Sequence, residues 1–99
     1  MIINLKRSTR KDKKYMVIFQ DGQTVHFGAK NNLDFILSGG DEIKKKNYIL
    51  RHSKLKEDWT KSGIRSPGFW SRWVLWEKPT LQKSIDFINK KFNVKINLI

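Results

Sequence analysis

The sequence predicts a single α+β domain, residues 1–99, in which a small antiparallel sheet packs against three or so short helices. Two observations lead to this prediction. Two strand-like apolar runs flank Asp21-Gly22, which indicates a β-hairpin. Near the C-terminus, apolar residues recur at spacings of four, three and four, which indicates an amphipathic helix. A chain of 99 residues has room for one modest core.

The first third of the chain is predicted to form strands. Residues 2–5 make a short strand, followed by a polar, basic turn. Residues 14–20 are rich in aromatic and branched side chains and residues 23–27 alternate polar and apolar, so these segments form the hairpin. The stretch from residue 28 to residue 40 is irregular. Its apolar side chains are expected to cover the core: Leu33, Phe35, Ile36 and Leu37.

Asp41 and Glu42 are predicted to begin a helix that runs to about residue 53, because negative charge is favourable at a helix N-terminus. The side of this helix that faces the core could consist of either of two sets of residues: Ile43, Asn47 and Leu50, or Tyr48 and Ile49. A second, short helical piece is predicted at residues 57–59.

Two further helices and a strand complete the predicted fold. Ser66 as N-cap and Pro67 as first helical residue predict a helix over residues 67–76. The last helix covers residues 80–92, and residues 94–98 alternate in polarity and can add a terminal strand. The apolar face of the last helix consists of Leu81, Ile85, Ile88 and Phe92.

The chain is strongly basic, with 21 Lys and Arg against nine Asp and Glu and a formal net charge of +12. Three clusters hold most of this charge. The first is Lys6, Arg7, Arg10, Lys11, Lys13 and Lys14; the second is Lys44, Lys45, Lys46, Arg51, Lys54 and Lys56; the third is Lys78, Lys83, Lys90, Lys91 and Lys95. One lysine-rich face is ordinary solvated surface. Three such clusters favour nucleic acid or another polyanion as partner, because unbalanced charge repels itself in a compact state.

All four tryptophans lie between residues 59 and 76. Phe69, Trp73 and Trp76 share one face of the predicted helix, and their large apolar area predicts that they belong to the core. A second interpretation keeps Trp70 at the surface as a platform for a base or for an apolar side chain of a partner. Arg72 either stacks on a neighbouring ring or contacts a phosphate.

The sequence offers little for catalysis. It has no cysteine, no phosphate-binding loop and no nucleophile–histidine–acid arrangement, so we expect no catalytic residues, no metal and no cofactor. Asp34 with Glu42 and Lys44 is a loose metal-nuclease pattern, although Glu42 is better explained as a helix-start charge. His52 is expected to make a cap or core hydrogen bond, and His26 to face solvent. No segment is apolar enough to span a membrane, and we expect no membrane partner.

The C-terminal half resembles a group of small basic proteins of unknown function that nucleocytoplasmic large DNA viruses encode. The resemblance covers residues 14–92. It depends on RH at residues 51–52, Trp59, GI at 63–64, GFWSRW at 68–73, LW at 75–76, KPTL at 78–81, SI at 84–85 and the hairpin end VHFG at 25–28. Residues 31–43 depart from the family pattern, which has a more polar loop there. The resemblance implies a viral setting, in the virion and in the host cytoplasm during assembly, and no established chemistry.

These observations lead to one functional hypothesis and one alternative. The first is a non-enzymatic, largely sequence-independent nucleic-acid-binding protein of a virion core, with DNA favoured over RNA. Its contacts would come from the first basic cluster, from Lys44, Lys45, Lys46 and Arg51, and from Arg72. The alternative is a minor structural virion protein that binds other viral proteins. A homodimer is compatible with both.

Overall fold

A computed structural model describes every residue of the chain, 1–99. It contains four strands, β1 (Ile2–Arg7), β2 (Lys13–Ile18), β3 (Thr24–Ala29) and β4 (Lys95–Leu98), and three α-helices, α1 (Glu42–Ser53), α2 (Pro67–Trp70) and α3 (Leu81–Phe92). The predicted α+β fold is confirmed. No helix has the length and apolar character needed to cross a membrane.

The sheet is mixed, in contrast to the wholly antiparallel sheet that was predicted. Its strand order is β3-β2-β1-β4, with β2 antiparallel to both of its neighbours and β4 parallel to β1. The helices between β3 and β4 carry the chain to the far edge, and such a crossover is what a parallel pair requires. The hairpin of β2 and β3 turns at Asp21-Gly22 as predicted, and Gly22 has the positive φ of +90° that favours glycine.

The core lies where one face of the sheet meets the helices. Leu5, Val17 and Val25 stand side by side across β1, β2 and β3, and all three are buried. Trp70 is fully buried, with its ring centroid 6.3 Å from those of both Phe19 and Phe27. Phe69, Trp70 and Trp76 are buried and Trp73 is partly buried, so the prediction that the aromatic segment forms core is confirmed. The surface-platform interpretation of Trp70 is wrong.

Helix α1 begins where it was predicted to begin. The Asp41 side chain accepts hydrogen bonds from the backbone N–H groups of Ile43, at 3.0 Å, and Lys44, at 3.2 Å. Of the two possible inner stripes, Tyr48 with Ile49 is correct, because the Tyr48 ring stacks on Trp76 with centroids 4.5 Å apart. Ile43 stays 73% exposed, so the alternative stripe is wrong.

The predicted helix at residues 67–76 is two structures. It starts with Ser66 as N-cap and α2 follows, but from Ser71 to Leu75 the chain widens into a π-helical turn. A π turn adds a residue per turn, so the positions deduced from helical spacing shift after Trp70. The helical piece predicted at residues 57–59 is also wrong: a 3₁₀ turn forms instead at Lys61–Gly63.

Helix α3 and β4 follow the predicted pattern closely. Thr80 caps α3 by accepting a hydrogen bond from the Lys83 N–H at 3.2 Å. Ile85 and Ile88 are buried on its inner face. Asn93, with φ of +53°, ends the helix in the left-handed conformation and turns the chain into β4.

Candidate nucleic-acid interface

The fold leaves most of the positive charge without an internal partner. Five of the 21 Lys and Arg residues form ion pairs with carboxylates within 4.0 Å, and the other 16 do not. The five that do are Arg10, Lys14, Lys45, Arg65 and Arg72. Since the chain has only nine Asp and Glu side chains, its own acids cannot neutralise the remaining cations.

Several unpaired cations converge on a groove between the β-strands and α1. The groove consists of three adjoining cavities, the central one of about 270 Å³. The central cavity shares Lys14 and Asp34 with one neighbour, and Asn32 and Arg51 with the other. The unpaired cations along its walls, called here the groove face, are Arg7, Lys13, Lys30, Lys44 and Arg51.

Strand register explains how the hairpin supplies part of the groove face. Lys13 pairs with Ala29 at the open end of the hairpin, and the Lys30 N–H donates to the Asp12 carbonyl at 3.1 Å. Lys13 and Lys30 are therefore neighbours although 17 positions separate them in the chain. Arg7, at the end of β1, pairs with Tyr15 of β2, which places it beside them.

Helix α1 supplies the opposite wall of the groove. Lys44 and Arg51 are seven positions apart, so they lie on the same side of the helix, two turns from each other. Three asparagines contribute amide groups beside them: Asn31, Asn32 and Asn47. Side-chain amides and cations together are the usual donors to phosphate oxygens.

Lys14 lies in the same groove but is already engaged. Its Nζ donates to Asp34 Oδ2 at 2.5 Å and to the Asn32 carbonyl at 2.6 Å. Both charged side chains are almost fully buried, with 9% and 4% of their surface exposed. Asp34 also accepts from the Leu37 N–H at 2.8 Å. Lys14 therefore fastens the loop after β3 to the sheet, and it is not free for a phosphate.

Arg72 and Lys45 are also engaged, and both meet at Glu77. Arg72 Nη1 lies 2.9 Å from Glu77 Oε1, and the Arg72 guanidinium lies 4.4 Å from the centroid of the Trp73 ring. Lys45 Nζ donates to the Glu77 carbonyl at 2.9 Å and stands over the Phe35 ring. Arg72 is buried, so the stacking interpretation is the one found and the phosphate contact is not available to it.

The other predicted contact residues lie outside the groove. Lys6 is on the outer face of β1, opposite Met16, and Lys11 is exposed in the β1–β2 turn. Arg10, in the same turn, pairs with the exposed Asp12 at 3.0 Å. Lys46 is exposed on α1, away from the cavity walls.

Lys30 is the groove residue that the sequence analysis missed. No other lysine or arginine lies within ten positions of it on either side. Only strand pairing brings it close to other cations. The signal that could have identified it is the hairpin register. Counting outward from the Asp21-Gly22 turn places Lys30 opposite the first basic cluster.

The two histidines and the loose metal pattern have structural explanations. His52 Nδ1 lies 3.1 Å from Glu57 Oε1, a half-buried bond between side chains and not the cap or core bond that was predicted, and the His52 ring stacks on Tyr48. His26 Nδ1 lies 2.7 Å from the Ser8 hydroxyl. No group of three or more His, Asp or Glu side chains is arranged to hold a metal ion.

Burial, and then the charge of Glu57, raise the pKa of Tyr48 above its usual range.

Residues 3–52 match a family described as a family of unknown function, DUF5754. Because the match covers half of the chain, the protein belongs to this family. The matched segment contains β2, β3 and nearly all of β1 and α1, and with them the entire groove face. No curated protein and no solved structure gave a significant match.

Proposed function

We propose that this protein binds nucleic acid without catalysis and largely without sequence preference, and that the groove face holds the phosphate backbone. The observation that carries the proposal is the convergence of five unpaired cations from β1, β2, the loop after β3 and α1 on one groove. Lysine and arginine bind phosphates through charge, which carries no base information. No helix-turn-helix or other base-reading element accompanies them, so we expect little sequence preference. The phosphate backbones of DNA and RNA offer the same chemistry, and DNA is the favoured partner.

We further propose that the setting is the core of a large DNA virus, where the protein would help to package the genome. The support is the resemblance of the tryptophan-rich segment to proteins of such viruses, together with the charge. A packed genome must be neutralised, and a small cationic fold supplies counter-charge at high density.

The rival proposal is a minor structural virion protein that binds other proteins or a second copy of itself. Exposed apolar side chains on α1 favour it: Ile43 is 73% exposed and Leu50 is 53% exposed. Two of the four tryptophans argue against it as the main function, because Trp70 and Trp76 are buried in the core.

The test is a salt series of binding to a short duplex of mixed sequence. Five phosphate contacts predict that log K falls with log salt at a slope of about −4.5. Between about 50 and 200 mM salt the affinity should then fall by about 500-fold. Replacing the five residues of the groove face by glutamine should weaken binding at about 100 mM salt by about 100-fold or more.

The matched control removes the same number of charges elsewhere. Five lysines outside the groove serve this purpose: Lys61, Lys78, Lys83, Lys90 and Lys91. Changed to glutamine, they should alter the affinity for a single duplex by less than about threefold. Equal losses in the two variants would mean that only total charge matters, and binding that does not respond to salt would exclude the phosphate contacts. The rival proposal, binding to a protein or to a second copy, is tested by comparing the sedimentation of the wild-type chain with that of an α1 variant that carries Ile43→Ser and Leu50→Ser.

A further inference from the structure

The same five control lysines form a second cationic surface, called here the α3 face. Lys83, Lys90 and Lys91 lie on α3, Lys78 precedes that helix, and Lys61 begins the 3₁₀ turn. None of the five has a carboxylate within 4.0 Å. Asp86, which lines one cavity together with Lys78, Lys83 and Lys90, accepts a hydrogen bond from Gln82 Nε2 at 2.9 Å.

Aromatic rings fix the position of two of these lysines. Lys91 Nζ lies 5.3 Å from the Trp73 ring centroid, and Lys78 Nζ lies 5.1 Å from that of Phe87. The Trp73 and Phe87 rings are themselves in contact, with centroids 5.8 Å apart. A lysine held over a ring loses less conformational freedom when it binds an anion than a freely rotating one does. The α3 face is therefore partly preorganised.

The groove face and the α3 face are separate surfaces. No residue lines a cavity of both. The groove face is built around β2 and β3, whereas α3 leads directly into β4, the edge strand at the other end of the sheet order. The thinnest dimension of the molecule is 24 Å. The Debye length at 0.1 M salt is about 10 Å, so two polyanions held farther apart than this would be screened from each other.

We propose that one molecule binds two nucleic-acid segments at once, the first in the groove and the second on the α3 face, and so bridges them. The inference rests on the proposed function, because it takes the groove as the stronger site. The α3 face is the weaker site, since its lysines are divided between two open cavities that share no lining residue, whereas the three cavities of the groove adjoin one another. Bridging by a monomer brings separate duplex segments together, which is the physical basis of condensation.

The test measures binding and bridging separately. Duplex with one fluorophore is attached to beads, duplex with a second fluorophore is free, and capture of the free duplex by the protein reports bridging. Wild-type protein should capture it. Changing the α3 face to glutamine should reduce capture about tenfold or more while the affinity for one duplex changes less than about threefold. A charge-retaining control, with all five lysines changed to arginine, should still capture.

Each outcome decides between the two proposals. If wild-type protein binds one duplex and captures no second duplex, the bridging inference fails and the proposed function stands. If the glutamine variant captures as well as wild type, bridging comes from self-association, and the inference is again wrong. If wild-type protein binds no duplex at all, the proposed function itself fails. Urea midpoints of both variants verify that they are folded.

Discussion

Substitutions at two adjacent lysines should affect different properties of the protein: stability at Lys14 and duplex binding at Lys13. The Lys14 ammonium and the Asp34 carboxylate are 2.5 Å apart, and the two side chains are only 9% and 4% exposed. Lys14→Met leaves that carboxylate buried without its counter-ion, which costs about 3–5 kcal/mol of unfolding free energy. A domain of this size has about 5–15 kcal/mol in total, so the variant should be close to unfolding. Its Tm should fall by more than about 12 °C, at about 4–8 °C per kcal/mol.

Lys13 lines the groove and has no ion-pair partner. Lys13→Gln should therefore change the unfolding free energy by no more than about 0.5 kcal/mol. It should instead lower the salt slope of duplex binding by about one. The two assays are urea unfolding followed by tryptophan fluorescence, and the salt series of duplex binding.

A rescue variant separates loss of the ion pair from loss of packing. Lys14→Met combined with Asp34→Asn removes the buried charge but keeps an oxygen that can accept from the Leu37 N–H. This double variant should recover more than half of the stability lost in Lys14→Met. The reasoning is refuted if Lys14→Met costs less than about 1 kcal/mol, or if the double variant is no more stable than the single one.

The remaining predictions concern a crowded glycine and an exposed carboxylate. Gly28→Ala should lower the unfolding free energy by about 2–5 kcal/mol, because Gly28 has φ of +80° and the new Cβ would lie 2.7 Å from Leu75 Cδ1. Gly22→Ala should lower it by about 1–2 kcal/mol, because Gly22 has φ of +90° but open space around it. Equal losses of the two variants in urea unfolding would contradict the crowding at Gly28. Hydrogen bonds from Ser62, and then from Thr60, lower the pKa of Asp58 below 3.8, so its stabilising effect is present above that pH and is lost as pH falls through the lowered pKa. Asp58→Asn should be less stable than wild type at pH 6, the difference should vanish in acid, and urea midpoints that differ equally at every pH would contradict it.

Local signals in the sequence were sufficient for the ends of most elements. Asp41, Ser66 and Thr80 cap helices where short polar side chains precede a helical pattern, and the Asp21-Gly22 turn fixes the hairpin. These signals are reliable because each depends on a few neighbouring residues, whose geometry is nearly independent of the remaining fold.

Features that depend on distant contacts could not be predicted in the same way. Which stripe of α1 faces inward depends on the Trp76 ring, on which Tyr48 stacks. That ring follows the π turn, and its position is set by packing of residues that lie far apart in the chain. The direction of β4 likewise depends on the crossover and not on the alternation of its own side chains.

Basic clusters in a sequence do not by themselves identify the cations that are available to a ligand. The most buried carboxylates of this chain, Asp34 and Glu77, take their partners from the predicted phosphate contacts: Lys14 in one case, Lys45 and Arg72 in the other. A carboxylate that is removed from water must be paired, so Asp34 and Glu77 bind cations of the protein itself. The cations of the groove face are among those that no carboxylate reaches within 4.0 Å. For this reason the groove face combines members of two predicted clusters with an isolated lysine, and no acid of the protein neutralises its charge.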